Sequence, residues 1–263
     1  MVSQEKTRNV RLTDRDMSIL REHLGTFRMT TTKALHRLCF EPESLEVSAA
    51  KSWLRRMREG GYLATADLYG ESTTKVKYFY LTEEAAKQVV YGETRIPSGH
   101  VSPGRLPEAF GVLSFCCLGP RVYRKLTPQE LESRLAALFD GNNLPREPYY
   151  LDDDDHVDDG DGPENKLGYI YVDKGGSTPY WRIVERYNRI VAQRRQFRPW
   201  RDYFDKCRFV VTVVTATAGK QRQIEEALLD KPNPVPFRVD VRPELIHLRP
   251  PHKRHAAQRR TNT

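Results

Sequence analysis

The sequence predicts a protein of mixed structure, with an α+β part in which short helices are closed by a β-hairpin and an α/β part in which helices flank a sheet. Three observations lead to this prediction. Apolar residues recur at helical spacing in three segments before residue 60. Two strand-like runs and a further helix then follow, up to about residue 92. Beyond residue 107, runs rich in β-branched residues are separated by amphipathic segments, which is typical of helices packed on a sheet.

Composition limits the class of protein. A length of 263 residues suggests two domains, and 38% hydrophobic residues is low but sufficient for compact cores. No window approaches the roughly 20 apolar residues of a membrane span, so we expect a cytoplasmic protein without a membrane partner. The four cysteines form no C-x-x-C pair, which favours buried free thiols over a zinc site or disulfides.

The charge balance indicates a polyanionic partner. The formal net charge is +8, although the excess is uneven because residues 152–161 are strongly acidic. Nucleic acid is the partner class that best matches this balance. A basic composition is also found on ordinary soluble surfaces, so the prediction needs support from particular segments.

Three helices are predicted in the first 60 residues. The first begins at Thr13, which can cap it, and the second is the segment MTTTKALHRLCF. The third is VSAAKSWLRRMREGGYL, which ends at a pair of glycines. Its apolar positions Val47, Ala50, Leu54 and Met57 are predicted to face the core. Lys51, Arg55 and Arg58 recur at positions i, i+4 and i+7 and are predicted to share the outer face.

The next segments complete the first domain, which we place at residues 1–92. Tyr62–Tyr69 and Lys75–Leu81 are predicted to form a hairpin, and a helix starts at Thr82. Three helices, a hairpin and a helix is the order of a winged helix-turn-helix, which places its third helix in the major groove of DNA. The candidate groove residues are Lys51, Ser52, Arg55, Arg56 and Arg58, and the candidate wing residues are Thr73, Thr74, Lys75 and Lys77. Winged helices also serve as protein-interaction or dimerisation modules, so a homodimer is a further expectation.

Residues 93–107 are rich in Pro, Gly and Ser and are predicted to be a linker. The second domain is placed at 108–248, with its start near Leu106. Its run GVLSFCCL fits either a buried strand or a helix. Thr127 to Glu130 is a capping box that predicts a helix through about Phe139.

A predicted hairpin contains the densest cluster of carboxylates in this domain. The segment PYYLDDDDHV is predicted to pair with Leu167–Asp173 across an acidic loop. Within the second strand, Ile170 and Val172 should lie on one face, and Tyr169, Tyr171 and Asp173 on the other. A suitable register would bring some of Asp152 to Asp155 close to Asp173.

A basic helix is predicted directly after this strand. Its predicted apolar stripe consists of Trp181, Val184, Tyr187 and Val191. The opposite side carries Arg182, Glu185, Arg186, Arg189 and Gln193. The arginines are either phosphate contacts or ordinary solvated charges, and the pattern alone leaves both open.

The remaining elements continue the α/β pattern. The run RFVVTVVTAT predicts a central strand that is buried on both faces. Lys220–Leu229 predicts a helix, FRVDV predicts an edge strand, and residues 249–263 predict a basic disordered tail.

These segments together resemble a known family. The segments MTTTKALHRLCF and AAKSWLRRMREGGYL, followed by GYIYVDKGG, a basic helix and FVVTVVTAT, are similar to the replication-relaxation proteins of plasmids and integrated elements. The MobC-type mobilisation relaxases lie near that group. The resemblance extends to about Leu248 and implies a role on double-stranded DNA in replication or transfer of a mobile element, with other replication or mobilisation proteins as partners.

The resemblance also implies a nuclease-like fold. Such a domain, like the PD-(D/E)XK restriction endonucleases, holds a divalent metal between an acidic residue on one strand and a D/E-x-K element on the next. It implies Mg²⁺ or Mn²⁺ as the cofactor, Asp152, Asp154, Asp173 and Lys174 as catalytic candidates, and Asp154 and Asp173 as metal ligands. The chain departs from the pattern because Gly175 stands two positions after Asp173, where the lysine is expected. Two functions therefore stay open, a metal-dependent nickase and a non-catalytic DNA-binding regulator or accessory factor with a degenerate nuclease fold.

Overall fold

The structure is a computed structural model. It describes residues 10–40, 46–68, 76–90, 96–135, 148–152, 166–173, 178–230 and 233–248. Helices and strands both contribute substantially, which confirms the predicted mixture of α and β structure. Among the described helices, none combines the length and the apolar composition that a membrane span requires.

The N-terminal helices start where capping residues predict. Helix α1 (Asp14–Ser18) follows Thr13, whose hydroxyl accepts from the Asp16 amide. It continues as a π-helical segment, Ile19–Leu24, and as α2 (Gly25–Phe27). Helix α3 (Thr32–Leu35) is capped by Thr31 and continues as a second π-helical segment, His36–Phe40. Both predicted helices are confirmed.

Helix α4 (Val47–Glu59) is amphipathic as predicted, with two differences. Ala50, Leu54 and Met57 are buried, whereas Val47 is exposed because it is the first residue of the helix, beyond the end of the buried stripe. Trp53, which the predicted stripe omits, is buried instead. Its indole extends the apolar face toward α1.

A buried carboxylate joins α4 to α1. Asp16 accepts hydrogen bonds from the Trp53 indole at 2.7 Å, from Arg56 at 2.5 Å and from the Thr13 amide at 2.9 Å. Burial by itself would raise the pKa of Asp16, but the hydrogen bonds from Arg56, Thr13 and Trp53 outweigh it and hold this pKa below 3.8. The ionised form is therefore the form that the fold stabilises.

Asp16→Asn is expected to lower the free energy of unfolding by about 2 kcal/mol at pH 7, because charge-assisted hydrogen bonds are lost. Since the folded pKa is depressed, the wild-type contribution is complete above the unfolded pKa of 3.8 and disappears as the pH falls through the folded value. Urea unfolding at pH 7 and below pH 4 measures both effects. The exposed Asp14→Asn on the same helix is the control, and an equal loss in both variants would contradict the assignment.

The predicted hairpin and the helix after it are confirmed. Strand β1 (Leu63–Leu68) pairs antiparallel with β2 (Val76–Leu81), from Leu63 opposite Leu81 to Leu68 opposite Val76. Thr30, just before α3, exchanges two backbone hydrogen bonds with Phe79 and so ties the helices to the hairpin. Helix α5 (Glu83–Val89) follows and is capped by Thr82.

The segment between the two halves of the chain is packed against them. In the segment predicted as a linker, the described residues 96–105 include the buried side chains Ile96 and Val101. Helix α6 (Leu106–Leu118) comes next, so the ambiguous run GVLSFCCL is helical, and most of its side chains are buried. One continuous apolar core joins Met29 and Tyr78 of the first half to α6 and to β-strand residues of the second.

The second half is built on a five-stranded sheet of order β3-β4-β5-β6-β7. Its strands are β3 (Arg124–Lys125), β4 (Tyr149–Asp152), β5 (Lys166–Val172), β6 (Phe209–Thr215) and β7 (Phe237–Val241). The pairs β3/β4 and β4/β5 are antiparallel, and β5/β6 and β6/β7 are parallel. All seven residues of β6 are buried, which confirms the predicted central strand, and β7 lies at the edge as predicted.

Helices cover both faces of the sheet. Helix α6 packs on the face that includes Ile170, Val172 and Val214. The opposite face packs against α8 (Tyr180–Arg194), α9 (Arg198–Asp205) and α10 (Ala218–Leu229). Helix α7 (Pro128–Leu135) starts at the predicted capping box, and a 3₁₀ helix, Pro243–Leu248, closes the described chain. Helix α9, in which four of eight residues are charged, and the two-residue strand β3 were not predicted from the sequence.

One prediction about the faces of α8, the place of Trp181 in its apolar stripe, is wrong. Ile183, Val184, Tyr187 and Val191 are buried, but Trp181 is 49% exposed rather than part of the core. At roughly 100° per residue, Trp181 falls about 120° around the helix from Tyr187, outside the buried stripe. An aromatic side chain therefore lies on the basic side of α8.

Candidate nucleic-acid interface

The outer face of α4 is cationic. Lys51, Ser52, Arg55 and Arg58 are all exposed, while the opposite side of the same helix is buried in the core. The spacing i, i+4 and i+7 places the three cations along one face. This face can approach phosphates without disturbing the packing of α4.

Arg56 differs from the other candidate groove residues. Its guanidinium forms an ion pair with the buried Asp16, and 42% of its side chain is exposed. The sequence predicts a groove contact, whereas the structure gives Arg56 a role in holding α1 and α4 together. A cleft of about 530 Å³ beside this pair is also lined by Arg15, Ser52 and Arg55. Arg15 was missed because it precedes the predicted groove helix by more than 30 residues.

The hairpin offers one described cation. Lys77 is exposed on β2, directly opposite Asp67 on β1. The other predicted wing residues, Thr73, Thr74 and Lys75, lie outside the described residues.

The outer face of α8 is a second cationic surface. Arg182, Arg186 and Arg189 are exposed, as predicted. The guanidinium carbon of Arg182 lies 5.1 Å from the centroid of the Trp181 ring. Arg189 is also 3.4 Å from the carboxylate of Glu185, one turn before it.

Asp152 lies in a polar network on the α6 face of the sheet. Its carboxylate accepts a hydrogen bond from Arg238 at 2.8 Å, and Arg238 also donates to the Tyr123 hydroxyl at 2.8 Å. The Tyr150 hydroxyl is 2.7 Å from that of Thr212 on β6. Burial raises the pKa of Tyr150, so this hydroxyl stays neutral. Asp152 therefore serves as the partner of Arg238 across the sheet.

Asp173 lies elsewhere. It follows the last residue of β5, and its side chain shares the face of Tyr169 and Tyr171, which is the opposite face from Asp152. The register pairs Asp152 with Lys166, at the other end of β5. The two carboxylates are therefore separated by roughly 20 Å along the strand.

The predicted approach of Asp152 to Asp173 is wrong. A hairpin loop joins the end of its first strand to the start of its second, so Asp152 lies near the start of β5 and Asp173 at its end. Asp154 and Lys174 lie outside the described residues. Among the described residues, no three His, Cys, Asp or Glu side chains form a group that could hold a metal. Asp152 and Asp173 therefore do not share a metal, and the Mg²⁺ or Mn²⁺ site that the resemblance implies, with Asp154 among its ligands, stays a prediction.

Lys220, which was not among the predicted site residues, lies beside Asp173. Lys220, in the first turn of α10, has its amine 3.8 Å from the Asp173 carboxylate, and it also donates to the Thr178 carbonyl. The proximity of Lys220 to Asp173 follows from the parallel pairing of β5 and β6, because the segments after parallel strands meet at one edge of the sheet. Lys220 ties the chain after β5 to α10.

A cavity of about 910 Å³ lies between the two halves of the chain. Its cations already have protein partners. Arg21 donates to the Val89 carbonyl at 2.7 Å, and Lys125 donates to the Thr26 carbonyl. Burial lowers the pKa of Lys125. Lys125 therefore joins the two halves, whereas Arg21 holds elements within the first half. Both cations are engaged by backbone carbonyls, unlike the exposed cations on the outer face of α4.

Comparisons of the chain with protein-family models, with curated proteins and with solved structures returned no match. The resemblance to the replication-relaxation proteins therefore stays a prediction from the segments quoted above.

Proposed function

We propose that this protein binds double-stranded DNA through the outer face of α4, in the manner of a winged helix-turn-helix. The observation that carries this proposal is the exposed set Lys51, Arg55 and Arg58 on a helix whose other face is buried. A helix fixed in this way can enter the major groove while its cations neutralise phosphates or contact base edges.

The elements around α4 support the proposal. The backbone pairing of Thr30 with Phe79 fixes the hairpin relative to the helices. In a winged helix-turn-helix, the hairpin contacts the DNA backbone beside the groove helix, and Lys77 is the described cation available for this contact. The net charge of +8 also favours association with a polyanion through long-range electrostatic attraction.

The separation of Asp152 from Asp173 favours a non-catalytic protein over a nickase. Metal-assisted cleavage of a phosphodiester needs carboxylates that converge on one ion, and these two lie on opposite faces of the sheet. Each also has a cationic neighbour, Arg238 for Asp152 and Lys220 for Asp173. We therefore propose a DNA-binding regulator or accessory factor whose sheet is a structural platform. We also propose that the protein acts in the replication or transfer of a mobile element, and this part rests on the resemblance alone.

A plasmid assay tests binding and chemistry together. We expect the full chain to retard supercoiled plasmid in a gel at low salt and to leave it supercoiled after incubation with Mg²⁺ or Mn²⁺. The expected rate of nicking equals that of plasmid without protein. If the wild-type protein nicks the plasmid and Asp173→Asn does not, the non-catalytic assignment is wrong. If the plasmid is not retarded at any salt concentration, the DNA-binding proposal fails.

A further inference from the structure

The exposed indole of Trp181 is unlike the other tryptophans of this chain. Trp53 and Trp200 are buried, whereas Trp181 is 49% exposed on the first turn of α8. Leaving so large an apolar surface in water costs free energy that burial would recover. A ligand that covers the ring would recover it.

The surroundings of Trp181 are cationic and concave. The ring borders a cleft of about 470 Å³ that also contains Tyr171 and Thr178. Among the described residues that line the cleft, the charged ones are Arg182, Glu185, Arg186 and Arg189. Three guanidinium groups thus outnumber one carboxylate, and that carboxylate is 3.4 Å from Arg189. The cleft complements a ligand that has both negative charge and a flat apolar face.

We propose that this cleft binds single-stranded nucleic acid, with an unpaired base stacked on Trp181 and the flanking phosphates at Arg182, Arg186 and Arg189. Proteins that bind single strands combine such aromatic platforms with cationic grooves. A duplex hides the faces of its bases and would use only the arginines, so the exposed ring favours a single strand. The inference goes beyond the proposed function, because it concerns another surface and another form of nucleic acid.

The test uses the full chain and a fluorescein-labelled oligo-dT of about 12 nucleotides, followed by anisotropy. Trp181→Ala is expected to weaken binding by roughly 5- to 150-fold, the range that corresponds to one stacked base. Trp181→Phe keeps an aromatic face and should retain most of the affinity. Arg186→Ala should lower the slope of log affinity against log salt by about 0.7, the value for one phosphate contact on a single strand.

Phe197→Ala is the matched control. Phe197 is 65% exposed and follows the same helix, but it does not line the cleft, so its loss should leave the affinity for oligo-dT unchanged. An equal loss in Phe197→Ala and Trp181→Ala would place the single strand elsewhere and overturn the proposal. Weak binding of oligo-dT by the wild type, unaffected by Trp181→Ala, would also overturn it.

Three further outcomes separate this proposal from its alternatives. Exposed Trp and Arg side chains are also common in protein–protein hot spots. If Trp181→Ala converts a dimer to a monomer in light scattering without changing oligo-dT binding, the ring belongs to an interface between copies of the chain. If Trp181→Ala weakens oligo-dT binding but leaves duplex binding intact, the cleft is supported independently of α4. Failure of duplex binding by the wild type, with oligo-dT binding retained, would refute the proposed function alone.

Discussion

Replacing Lys51, Arg55 and Arg58 together by alanine is expected to weaken duplex binding by about 100-fold or more at near-physiological salt. Three contacts at roughly 1 kcal/mol each give a change of this size, and a base contact by Arg55 would add to it. Fluorescence anisotropy with a labelled duplex measures the loss. The slope of log affinity against log salt should also become shallower by about 0.9 for each phosphate contact removed.

The matched control removes the same charge elsewhere. Lys87, Lys206 and Arg222 are exposed cations on other parts of the fold, and their triple alanine variant has the same net charge as the α4 variant. If both triple variants lose the same affinity, binding depends on overall charge and α4 has no special role. Thermal unfolding should be unchanged in either variant, since all six side chains are exposed.

Gly168→Ala is expected to destabilise the fold by about 3 kcal/mol or to prevent folding, because overpacking a close-packed core is costly. A Cβ at Gly168 would overlap ring atoms Cε1 and Cζ of Tyr150, whose side chain crosses β5 at this position. The Tyr150 ring has little freedom to move. It packs against Phe115 at 5.1 Å and Tyr123 at 5.0 Å between ring centroids, and its hydroxyl lies 2.7 Å from that of Thr212.

A double-mutant cycle isolates this clash from other effects. Tyr150→Leu removes the ring that meets the new methyl group, so Gly168→Ala should cost less in the Tyr150→Leu background than in the wild type. Urea unfolding of the four proteins gives the coupling energy. Additive costs would mean that the ring moves aside and that Gly168 is required for another reason.

Local patterns predicted most of the elements. Each of these patterns predicts an element from a few neighbouring residues. They are the alternation in β5, the β-branched run in β6 and the capping residues Thr13, Thr82 and Thr127. Such signals depend on backbone geometry that the sequence encodes locally. They predicted the mixture of helices and strands and the exposed cations of α4 and α8.

Long-range contacts were not predictable in this way. Asp16 meets Trp53 across 37 residues, and Asp152 meets Arg238 across 86. Sequence periodicity does not show which buried carboxylate a distant side chain will reach, so Arg56 was assigned to the groove and Asp152 to a catalytic site. The position of Trp181 was predictable in principle, because its helical angle differs from that of Tyr187. The prediction gave more weight to its hydrophobicity than to its angle.

The shared core around α6 bears on the spacing of the two cationic surfaces. Met29 and Tyr78 from the first half contact the same apolar cluster as Phe110 of α6 and Val172 of the sheet. Helices α4 and α8 therefore lie on two halves that share one apolar core. A rigid spacing increases avidity only for a ligand whose two binding elements match it. A branched nucleic acid, with a duplex arm on α4 and an unpaired arm on α8, would gain from this arrangement, whereas a simple duplex would not.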